Sequence, residues 1–484
     1  MRALAAIAFA FAAAALAAHA EELGYDGARH LLNRTGFGAS DAEVRAFSTL
    51  DRREAVERLL SGARREAALA PPAFVSEPFV PYSQMRALSQ EERTAAQRKA
   101  FQQGVELRAW WLREMTTTPS PLTERMTLFW HNHFATGQQK VKSGVLMYRQ
   151  NVLLRREALG NFASLLHAVS KDPAMLAYLD NARSRKEAPN ENFAREVMEL
   201  FTLGEGHYGE RDIKEAARAF TGWSIEPKTG EYKYRPFFHD AGMKTVLGRS
   251  GPLGGDDVLD ILLARPETAQ FIVGKLWREM VSPTPDPVEV KRLASVLRES
   301  RYEVKPLLRA MLLSDAFWAP ENRATLIKSP VDLVVGTLRT FDIRPLDMRP
   351  AVAATAALGQ NVFSPPNVKG WPGGEAWITS STLLGRKQWL DRVFRGSDSM
   401  VAPAPTPVRA AGDAVGENVR FMRVLDNGMS TYAFDAPRWE ASLGPTTDAA
   451  HLVLAMAPVN PPAEADSTAA RIRSLVLDPV YQLR

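Results

Sequence analysis

Apolar residues recur every three or four positions along most of the chain, which is the spacing of helices that turn one face towards a core. Helices are predicted at 89–115, 122–133, 147–159, 162–169, 174–179, 191–203, 212–220, 258–263, 267–280, 288–299, 305–313, 326–341, 351–358 and 381–394. The pattern has no alternating strand–helix units of the kind that builds a parallel sheet. The predicted fold class is therefore all-α, with one large multi-helix domain.

The pattern changes between residues 223 and 250. Loosely alternating apolar residues are interrupted there by proline and glycine, which is typical of a loop or a short hairpin. The residues concerned are Trp223, Ile225, Tyr232, Tyr234, Phe237 and Phe238. We expect one irregular excursion, a loop or small hairpin, inserted between helices.

The first twenty residues have the parts of a secretory signal peptide. A positive start, Met1-Arg2, precedes an apolar run over 3–18, and residues 18–20 (AHA) fit the small-x-small cleavage pattern. An uncleaved anchor is the alternative, but the run is short for a bilayer span and rich in alanine. We expect cleavage after Ala20 and export to the periplasm or the extracellular space. No later stretch reaches the ~18 uninterrupted apolar residues of a spanning helix, so no stable membrane span is expected after cleavage.

The composition narrows the class of protein without naming an activity. The chain has 484 residues, 45% of them hydrophobic, which is enough for a sizeable core. It has no cysteine, which excludes disulfides, thiolate nucleophiles and cysteine-ligated metals. The net charge of +5 is mild for this length and includes no long basic run, so nucleic acid is not an expected partner.

The strong helical patterns divide the mature chain into three parts. Residues 21–395 carry them and form the predicted domain. Residues 396–415 contain a run rich in proline and alanine and are predicted to be linker-like. Residues 416–484 are predicted to be a C-terminal extension, with short helical patterns near 446–456 and 467–477.

Residues 189–203 (PNENFAREVMELFTL) concentrate the candidate chemistry. On a helix, their apolar residues form a stripe towards the core, while Glu196 and Glu199 belong to a second, polar stripe. Two carboxylates one turn apart suit a hard cation, a sugar or a pair of arginines. Arg195 is one turn from both Glu191 and Glu199, so ion pairs on a solvated face are the alternative interpretation.

Two histidines stand close together in the sequence Trp130-His131-Asn132-His133-Phe134. On a helix they point about 160° apart, so both bind one ion only if the helix ends here. The alternative is one histidine hydrogen-bonded in the core and the other at the surface.

Two further acidic positions are candidates. Asp180 follows a predicted helix, where it serves either as a turn or cap residue or as a functional carboxylate. Asp240 follows His239 in the aromatic excursion, and its carboxylate would orient the imidazole or share an ion with it. The alternative for this pair is a turn held by Asp240. Lys244 lies four residues further on and is a candidate substrate-binding residue.

Aromatic and basic residues provide candidates for binding a sugar by stacking. They are Trp223, Trp371 and Arg386, and Arg195 joins them as a candidate substrate-binding residue. The alternative for each tryptophan is a core or loop anchor.

Several of these stretches, taken in order, resemble one family. The blocks are HLLNRTGFG, RMTLFWHNHF, AMLAYLDNARS, NENFAREVMELFTLG, AARAFTGWS, FHD with GMKTVLG, and PPNVKGWPGG. Over roughly residues 25–395 the chain resembles the bacterial domain-of-unknown-function family number 1800 (DUF1800). The resemblance implies an exported, mainly helical protein with no established activity. It also implies a neighbour protein of family number 1501, a relative of the sulfatase and alkaline-phosphatase fold, as a partner.

One position departs from the family pattern. The family usually has histidine where this chain has Phe201, so a metal site built on that histidine would be altered here. Glu191, Arg195, Glu196 and Glu199 match the family pattern.

Two functions follow from these residues. The first is a hydrolase or lyase of an envelope or extracellular polymer such as a polysaccharide, working with or without a divalent metal ion. Its catalytic residues would converge in one cleft: His131, His133, Asp180, Glu191, Glu196, Glu199, His239 and Asp240. The second is a non-catalytic envelope protein that acts by binding a partner, in which the same polar residues are structural salt bridges and caps.

Overall fold

Helices dominate the computed structural model, which describes residues 21–80, 82–395, 432, 434–463 and 467–484. The all-α class is confirmed. The predicted signal peptide and the linker-like segment 396–415 lie outside the described residues.

The first half of the described chain contains twelve α-helices. They are α1 Gly24–Thr35, α2 Asp41–Ser48, α3 Arg52–Ser61, α4 Tyr82–Ala87, α5 Gln90–Thr117, α6 Pro121–His133, α7 Gln138–Val141, α8 Gly144–Arg156, α9 Phe162–Ser170, α10 Pro173–Tyr178, α11 Glu191–Glu196 and α12 Glu210–Ala219. A π-helical segment, Val197–Thr202, continues α11.

The second half of the described chain contains the remaining α-helices. They are α13 Gly255–Ala264, α14 Pro266–Met280, α15 Pro287–Glu299, α16 Val304–Leu312, α17 Asp315–Trp318, α18 Pro330–Thr340, α19 Arg349–Ala357, α20 Ser380–Arg395, α21 Ala436–Ala441, α22 Ala449–Val453 and α23 Thr468–Leu477. Short 3₁₀ turns occur at Ala73–Ser76, Asn181–Arg183, Pro236–Phe238, Pro320–Asn322, Gly374–Trp377 and Pro479–Gln482.

Local signals set many of the helix starts. Ser89 accepts a hydrogen bond from the backbone N–H of Glu92, whose side chain accepts from the backbone N–H of Ser89, so the predicted capping box of α5 is present. Proline occupies the first turn of α6 and α10, where it has no hydrogen bond to lose. A proline also starts α18 at residue 330, so this helix begins four residues later than predicted.

The irregular excursion consists of two small antiparallel hairpins. Strand β1 (Trp223–Ile225) pairs with β2 (Tyr232–Tyr234), with Trp223 opposite Tyr234. Strand β3 (Lys244–Val246) pairs with β4 (Arg249–Gly251), with Lys244 opposite Gly251. The position of the excursion between helices is as predicted.

Two hydrophobic clusters form the interior. The first gathers apolar faces of α1, α3, α6 and the helices from α8 to α17, with Trp130, Phe162 and Trp277 among its largest members. The second gathers α5, α18, α19 and α20 around residues such as Trp111 and Phe341. Helix α6 contributes to both clusters, which places its last turn between them.

The residues beyond 431 complete the second cluster. Trp439 and Tyr481 are buried in it, and the Trp439 indole N–H donates to the carbonyl of Thr340 at 2.9 Å. The Tyr481 hydroxyl lies 2.7 Å from the Thr337 hydroxyl on α18. The described part of the predicted C-terminal extension therefore packs into the same domain as residues 21–395.

Buried ion pairs fix α6 against its neighbours. Glu124 accepts two hydrogen bonds from Arg155, at 2.6 and 2.9 Å, and a third from the Trp111 indole at 2.7 Å. Arg125 contacts Asp332 and Glu279, and the guanidinium holds the pKa of the Asp332 carboxyl well below its usual range. Buried charges need such partners, so these contacts set the position of the helix that carries the two candidate histidines.

In the part of the chain that the structure describes, we find no helix that combines the length and the apolar character needed to cross a membrane.

Candidate functional site

The last turn of α6 presents His131, Asn132 and His133 in three different directions. The helix ends at His133, and successive residues of a helix are rotated by about 100°. Both imidazoles are buried, with His131 1% and His133 3% exposed. Each imidazole bonds a different segment, so the two histidines do not share one ligand position.

His133 faces the π-helical segment. Its Nε2 atom lies 3.2 Å from the carbonyl oxygen of Phe201, and its Nδ1 atom lies 3.1 Å from Nζ of Lys275 on α14. Nε2–H therefore donates to the carbonyl and Nδ1 accepts from the lysine. Burial, together with the Lys275 charge, lowers the pKa of His133 well below its ordinary value, so the imidazole is neutral.

His131 and Asn132 hold two loops. His131 Nε2 accepts the backbone N–H of Phe363 at 3.0 Å, and burial lowers the pKa of His131 to about 3. Asn132 Oδ1 accepts the backbone N–H of Trp371 at 2.7 Å. Gly370, at φ +79°, leaves room for Asn132, because a Cβ there would lie 2.2 Å from Asn132 Oδ1.

The predicted helix over 191–203 is present, but its second half is π-helical. The Leu203 N–H donates to the carbonyl of Met198 at 2.8 Å, five residues back, and the Thr202 hydroxyl donates to the carbonyl of Val197 at 2.6 Å. The wider turn leaves carbonyls available to side chains: Phe201 accepts from His133, and Leu200 accepts from Lys275 at 3.4 Å. Such π-segments are frequent at functional sites.

The outer side of this segment carries a carboxylate cluster, which we define as Glu196, Glu199, Glu205, Lys369 and Tyr208. Glu199 accepts the Tyr208 hydroxyl at 2.7 Å. The Lys369 ammonium lies 3.5 Å from Glu199 Oε1 and 3.3 Å from Glu205 Oε1. The loop that Asn132 grips therefore brings Lys369 to the predicted acidic helix.

Glu196 is a partly buried carboxylate of this cluster. Burial raises its pKa above the ordinary value, and the Glu199 charge adds to the rise, while Lys369 and Arg195 oppose it. Among the described residues, we find no hydrogen-bond donor for the Glu196 carboxylate. A partly buried carboxyl with a raised pKa and an unengaged carboxylate suits acid–base work.

The neighbouring predicted residues are engaged differently. Arg195 forms a two-pronged ion pair with Glu210, at 2.8 and 2.9 Å, in place of the expected pairs with Glu191 and Glu199. Glu191 is partly exposed in the first turn of α11. Asp180 is exposed, and its carboxylate pairs with Lys140 at 2.6 Å.

The excursion holds His239, Asp240 and Lys244 in a separate network. The Asp240 carboxylate accepts from Arg218 at 2.7 and 3.2 Å, so it does not orient the His239 imidazole. His239 Nδ1 lies 3.0 Å from the carbonyl of Thr221. Lys244 is buried and donates to the carbonyls of Asp240 and Gly242, which closes the loop between β2 and β3.

Three predicted substrate-binding residues lie inside the protein. Trp223 and Trp371 are 3% and 4% exposed, and Arg386 is fully buried. Arg386 donates to Gln482 Oε1 at 3.1 Å and to the carbonyl of Lys328 at 2.9 Å. In this structure their faces pack against protein, which is the anchor role named as the alternative for the tryptophans.

The structure thus brings together part of the predicted set. Glu196 and Glu199 share the carboxylate cluster with Lys369, and His133 lies beneath the same π-segment. His239, Asp240 and Lys244 form a network of their own around Arg218 and Thr221. Among the described residues, no three or more histidine, aspartate or glutamate side chains are grouped so that they would hold a metal ion.

Four residues of the site were not among the predicted site residues: Lys275, Tyr208, Glu205 and Lys369. Lys275 lies in an apolar helical stretch (FIVGKLW), and a lysine inside such a stretch is a signal that it needs a buried partner. Burial lowers the pKa of Lys275 to about 8. Tyr208 follows a glycine-rich turn and has no local signal of its contact with Glu199.

A family model described as "Protein of unknown function (DUF1800)" matches residues 30–483. No curated protein and no solved structure matches the chain. The match confirms the resemblance drawn from the sequence blocks, and it reaches well beyond residue 395.

Proposed function

We propose that this protein is an exported hydrolase or lyase of an envelope or extracellular polymer. The chain belongs to the DUF1800 family of unknown function, so we argue the proposal from the residues of this chain. Glu196 and Glu199 are its acid and base. The observation that carries the proposal is the difference between their surroundings. Glu196 has a raised pKa and no hydrogen-bond donor among the described residues, whereas Glu199 is held by Tyr208 and Lys369.

Neighbouring carboxyls in different surroundings are the usual basis of paired acid–base roles. Glu196 keeps its proton to a higher pH than an ordinary glutamate and is the proton donor. Glu199 accepts the Tyr208 hydroxyl, lies beside the Lys369 ammonium and is the proton acceptor.

Two reaction types use this pair. In a hydrolase, Glu199 takes a proton from water, the water oxygen bonds to the attacked atom, and the leaving oxygen receives the Glu196 proton. In a lyase, Glu199 takes the proton from the carbon next to the bond that breaks, and the leaving oxygen again receives the Glu196 proton. The lyase product gains a carbon–carbon double bond, and no water is consumed.

The exposure of the cluster favours a large substrate. The side chains of Lys369 and Glu205 are 62% and 76% exposed, so the carboxylates open towards solvent. An extended polymer reaches such a surface without entering a closed pocket. The predicted signal peptide supports an envelope or extracellular location for that polymer.

A second function is favoured by a different observation. Several polar residues of the family blocks are buried and bond backbone groups of other segments, as His131, Lys244 and Arg34 do. In these contacts the polar residues stabilise the fold. This favours a non-catalytic envelope protein that binds a partner such as the family-1501 neighbour protein.

The test uses purified residues 21–484 and a panel of envelope and extracellular polysaccharides. New reducing ends without ultraviolet absorbance indicate hydrolysis, whereas new reducing ends with the absorbance of unsaturated ends indicate a lyase. Glu196→Gln should lower the rate by about 10²–10⁴, the usual contribution of a general acid or base. Glu187→Gln alters an exposed glutamate outside the carboxylate cluster, so it is the matched control and should keep the rate.

Two outcomes would overturn the enzyme proposal. One is activity that survives in both Glu196→Gln and Glu199→Gln. The other is a preparation inactive on the whole panel that co-purifies with a family-1501 neighbour protein whether or not Glu196 is intact.

A further inference from the structure

A cleft of about 470 Å³ lies between α1, the turn around Arg323 and the segment 448–462. Helix α1 lines it with Asp26, Arg29, His30 and Asn33, which are spaced i, i+3, i+4 and i+7 and so share one face. This cleft is lined by none of the residues of the carboxylate cluster.

The charges that line the cleft are unequally engaged. Arg29 pairs with Asp26 at 3.1 Å and donates to the carbonyls of His451, Leu454 and Ala455, so it clamps the wall of the cleft. Arg323 is different. Its side chain is partly buried, its Nε atom is buried without an acceptor, and it has no ion pair among the described residues.

A second guanidinium of the lining also has spare donors. Arg484 is 7% exposed and donates through Nη2 to Glu279 Oε1 at 2.9 Å. Its Nε atom lies 3.6 Å from Asp332 Oδ2 in an ion pair, and its Nη1 atom is buried without a hydrogen-bond acceptor among the described residues. Buried donors without acceptors are costly. Arg484 has Glu279 and Asp332 as charge partners, so Arg323 is the arginine of this cleft that lacks an acidic partner among the described residues.

The opposite wall is apolar. It contains Leu454, Ala455, Met456, Pro458, Pro461 and Pro462. The His30 imidazole is uncharged and so does not attract an anion, because burial and the nearby arginines lower its pKa to about 3. The rim carboxylate of Asp448 caps its own helix by accepting the backbone N–H of Ala450 at 3.1 Å.

We propose that this cleft binds a small organic anion, a carboxylate or phosphate carried on a short apolar body. Arg323 is the principal anion-binding residue, because a guanidinium presents paired N–H donors that match the oxygens of either group. The apolar wall receives the body of the ligand. This site is separate from the proposed acid–base pair, so the two proposals succeed or fail independently.

The test is calorimetric titration of residues 21–484 with three probes: n-butyl phosphate, n-butyrate and inorganic phosphate. We expect saturable 1:1 binding of at least one of the two organic anions, with inorganic phosphate weaker because it lacks the apolar body. Arg323→Gln should weaken that binding at least about tenfold, which corresponds to the loss of one charge-assisted hydrogen bond. Arg323→Lys should retain part of it, since the charge remains.

Two control variants separate the site from general charge effects. Arg298→Ala removes an exposed arginine of α15 and should leave binding unchanged. Asp448→Asn keeps a helix-capping side chain but removes the rim charge, so it should tighten binding. The proposal is overturned if neither organic anion binds, if inorganic phosphate alone binds, or if Arg323→Gln binds as tightly as the unaltered protein with its fold intact by circular dichroism.

Discussion

The Lys275 ammonium donates to Nδ1 of His133 across 3.1 Å, inside a shell of aromatic rings. The same ammonium reaches the carbonyl of Leu200 and lies over the ring of Phe271 at 4.9 Å. A lysine and a histidine from two helices thus hold the π-segment that carries Glu199. The contact joins His133, a predicted site residue, to Lys275, which was not predicted.

This contact makes stability depend on pH in a defined window. Burial lowers the pKa of Lys275 from 10.5 to about 8 in the folded state. Below pH 8 both folded and unfolded states carry the charge and the burial penalty is complete. Above pH 10.5 both are neutral and the penalty is gone. The free energy of unfolding should therefore rise with pH across this window, by up to about 3 kcal/mol from this group.

Urea unfolding at pH 7.5, 9 and 10.5 measures the effect. Lys275→Met removes the titrating group, so the difference in unfolding free energy between the unaltered protein and this variant isolates it. The difference should change in favour of the unaltered protein as pH rises. A difference that stays constant, or that changes in the opposite direction, contradicts the burial of a charged ammonium at this position.

The pKa of Glu196 should respond to its two charged neighbours with opposite signs. Glu199→Gln removes a like charge and should lower that pKa towards 4.5, whereas Lys369→Met removes an opposite charge and should raise it further. Glu191→Gln should leave it unchanged. Carbon-13 NMR of labelled glutamate carboxyls, with the Glu196 signal assigned by its loss in Glu196→Gln, reports each value. Shifts of the same sign in the first two variants would exclude the proposed arrangement.

Gly370 should tolerate a methyl group much less well than its neighbour Gly373. Both have positive φ, +79° and +73°, so alanine strains the backbone at each by about 1–2 kcal/mol. At Gly370 the new Cβ also meets Asn132 atoms at 2.2 and 2.5 Å, whereas at Gly373 nothing lies within 4 Å. Gly370→Ala should therefore cost about 1–3 kcal/mol more in unfolding free energy than Gly373→Ala. Equal losses would mean that Asn132 does not grip this loop.

The buried pair of Glu124 and Arg155 should dominate the stability of α6. Glu124→Ala removes the carboxylate that pairs with the Arg155 guanidinium, which is 1% exposed. The loss of this partner should lower the free energy of unfolding by about 3–5 kcal/mol. Glu289→Ala breaks a more exposed pair with Arg292 at 2.7 Å and should cost less than about 1 kcal/mol. Chemical denaturation of both variants gives the comparison. Similar small losses would show that Arg155 finds another partner.

Residues 432–484 should be indispensable for a folded domain. A chain that stops at residue 395 loses Trp439 and Tyr481 from the second cluster and leaves the apolar surface of α18 to α20 uncovered. We expect that chain to aggregate or to remain unfolded by circular dichroism. Co-expression with a separate 432–484 fragment should recover a complex that co-purifies. A stable monomer of residues 21–395 would contradict this account.

Features decided within a few residues could be predicted from the sequence. The capping box at Ser89 and the proline starts of α6 and α10 depend only on neighbouring backbone groups, so the helices appear where the pattern places them. The π-segment could not be predicted in this way. Its wider turn has carbonyls that accept from His133 and Lys275, which are 68 and 75 residues away from them in sequence.

The same distinction applies to the candidate site. Glu196 and Glu199 were found because they share one helix. Lys369 was quoted only within the block PPNVKGWPGG, and its contact with Glu199 was not predicted. The partner of Asp240 was not found, since Arg218 lies 22 residues earlier and several other basic residues were equally available. The burial of Trp223, Trp371 and Arg386 depends on tertiary packing, which a pattern of residue types does not contain.

The clamp formed by Arg29 sets an order of events in folding. Arg29 on α1 bonds the carbonyls of His451 and Leu454, which are 422 and 425 residues later in the chain. While the chain is being synthesised, α1 has no such partner until residue 454 has been made, although most of the other helices already exist by then. The entropy cost of closing so long a loop grows only slowly with its length. The time before the contact can form is set instead by the synthesis of the residues up to 454. The contact of Arg29 with residues 451–455 is therefore among the last contacts to form, whereas Arg34 of the same helix meets the carbonyls of Met280 and Val281 about 170 residues earlier in the chain.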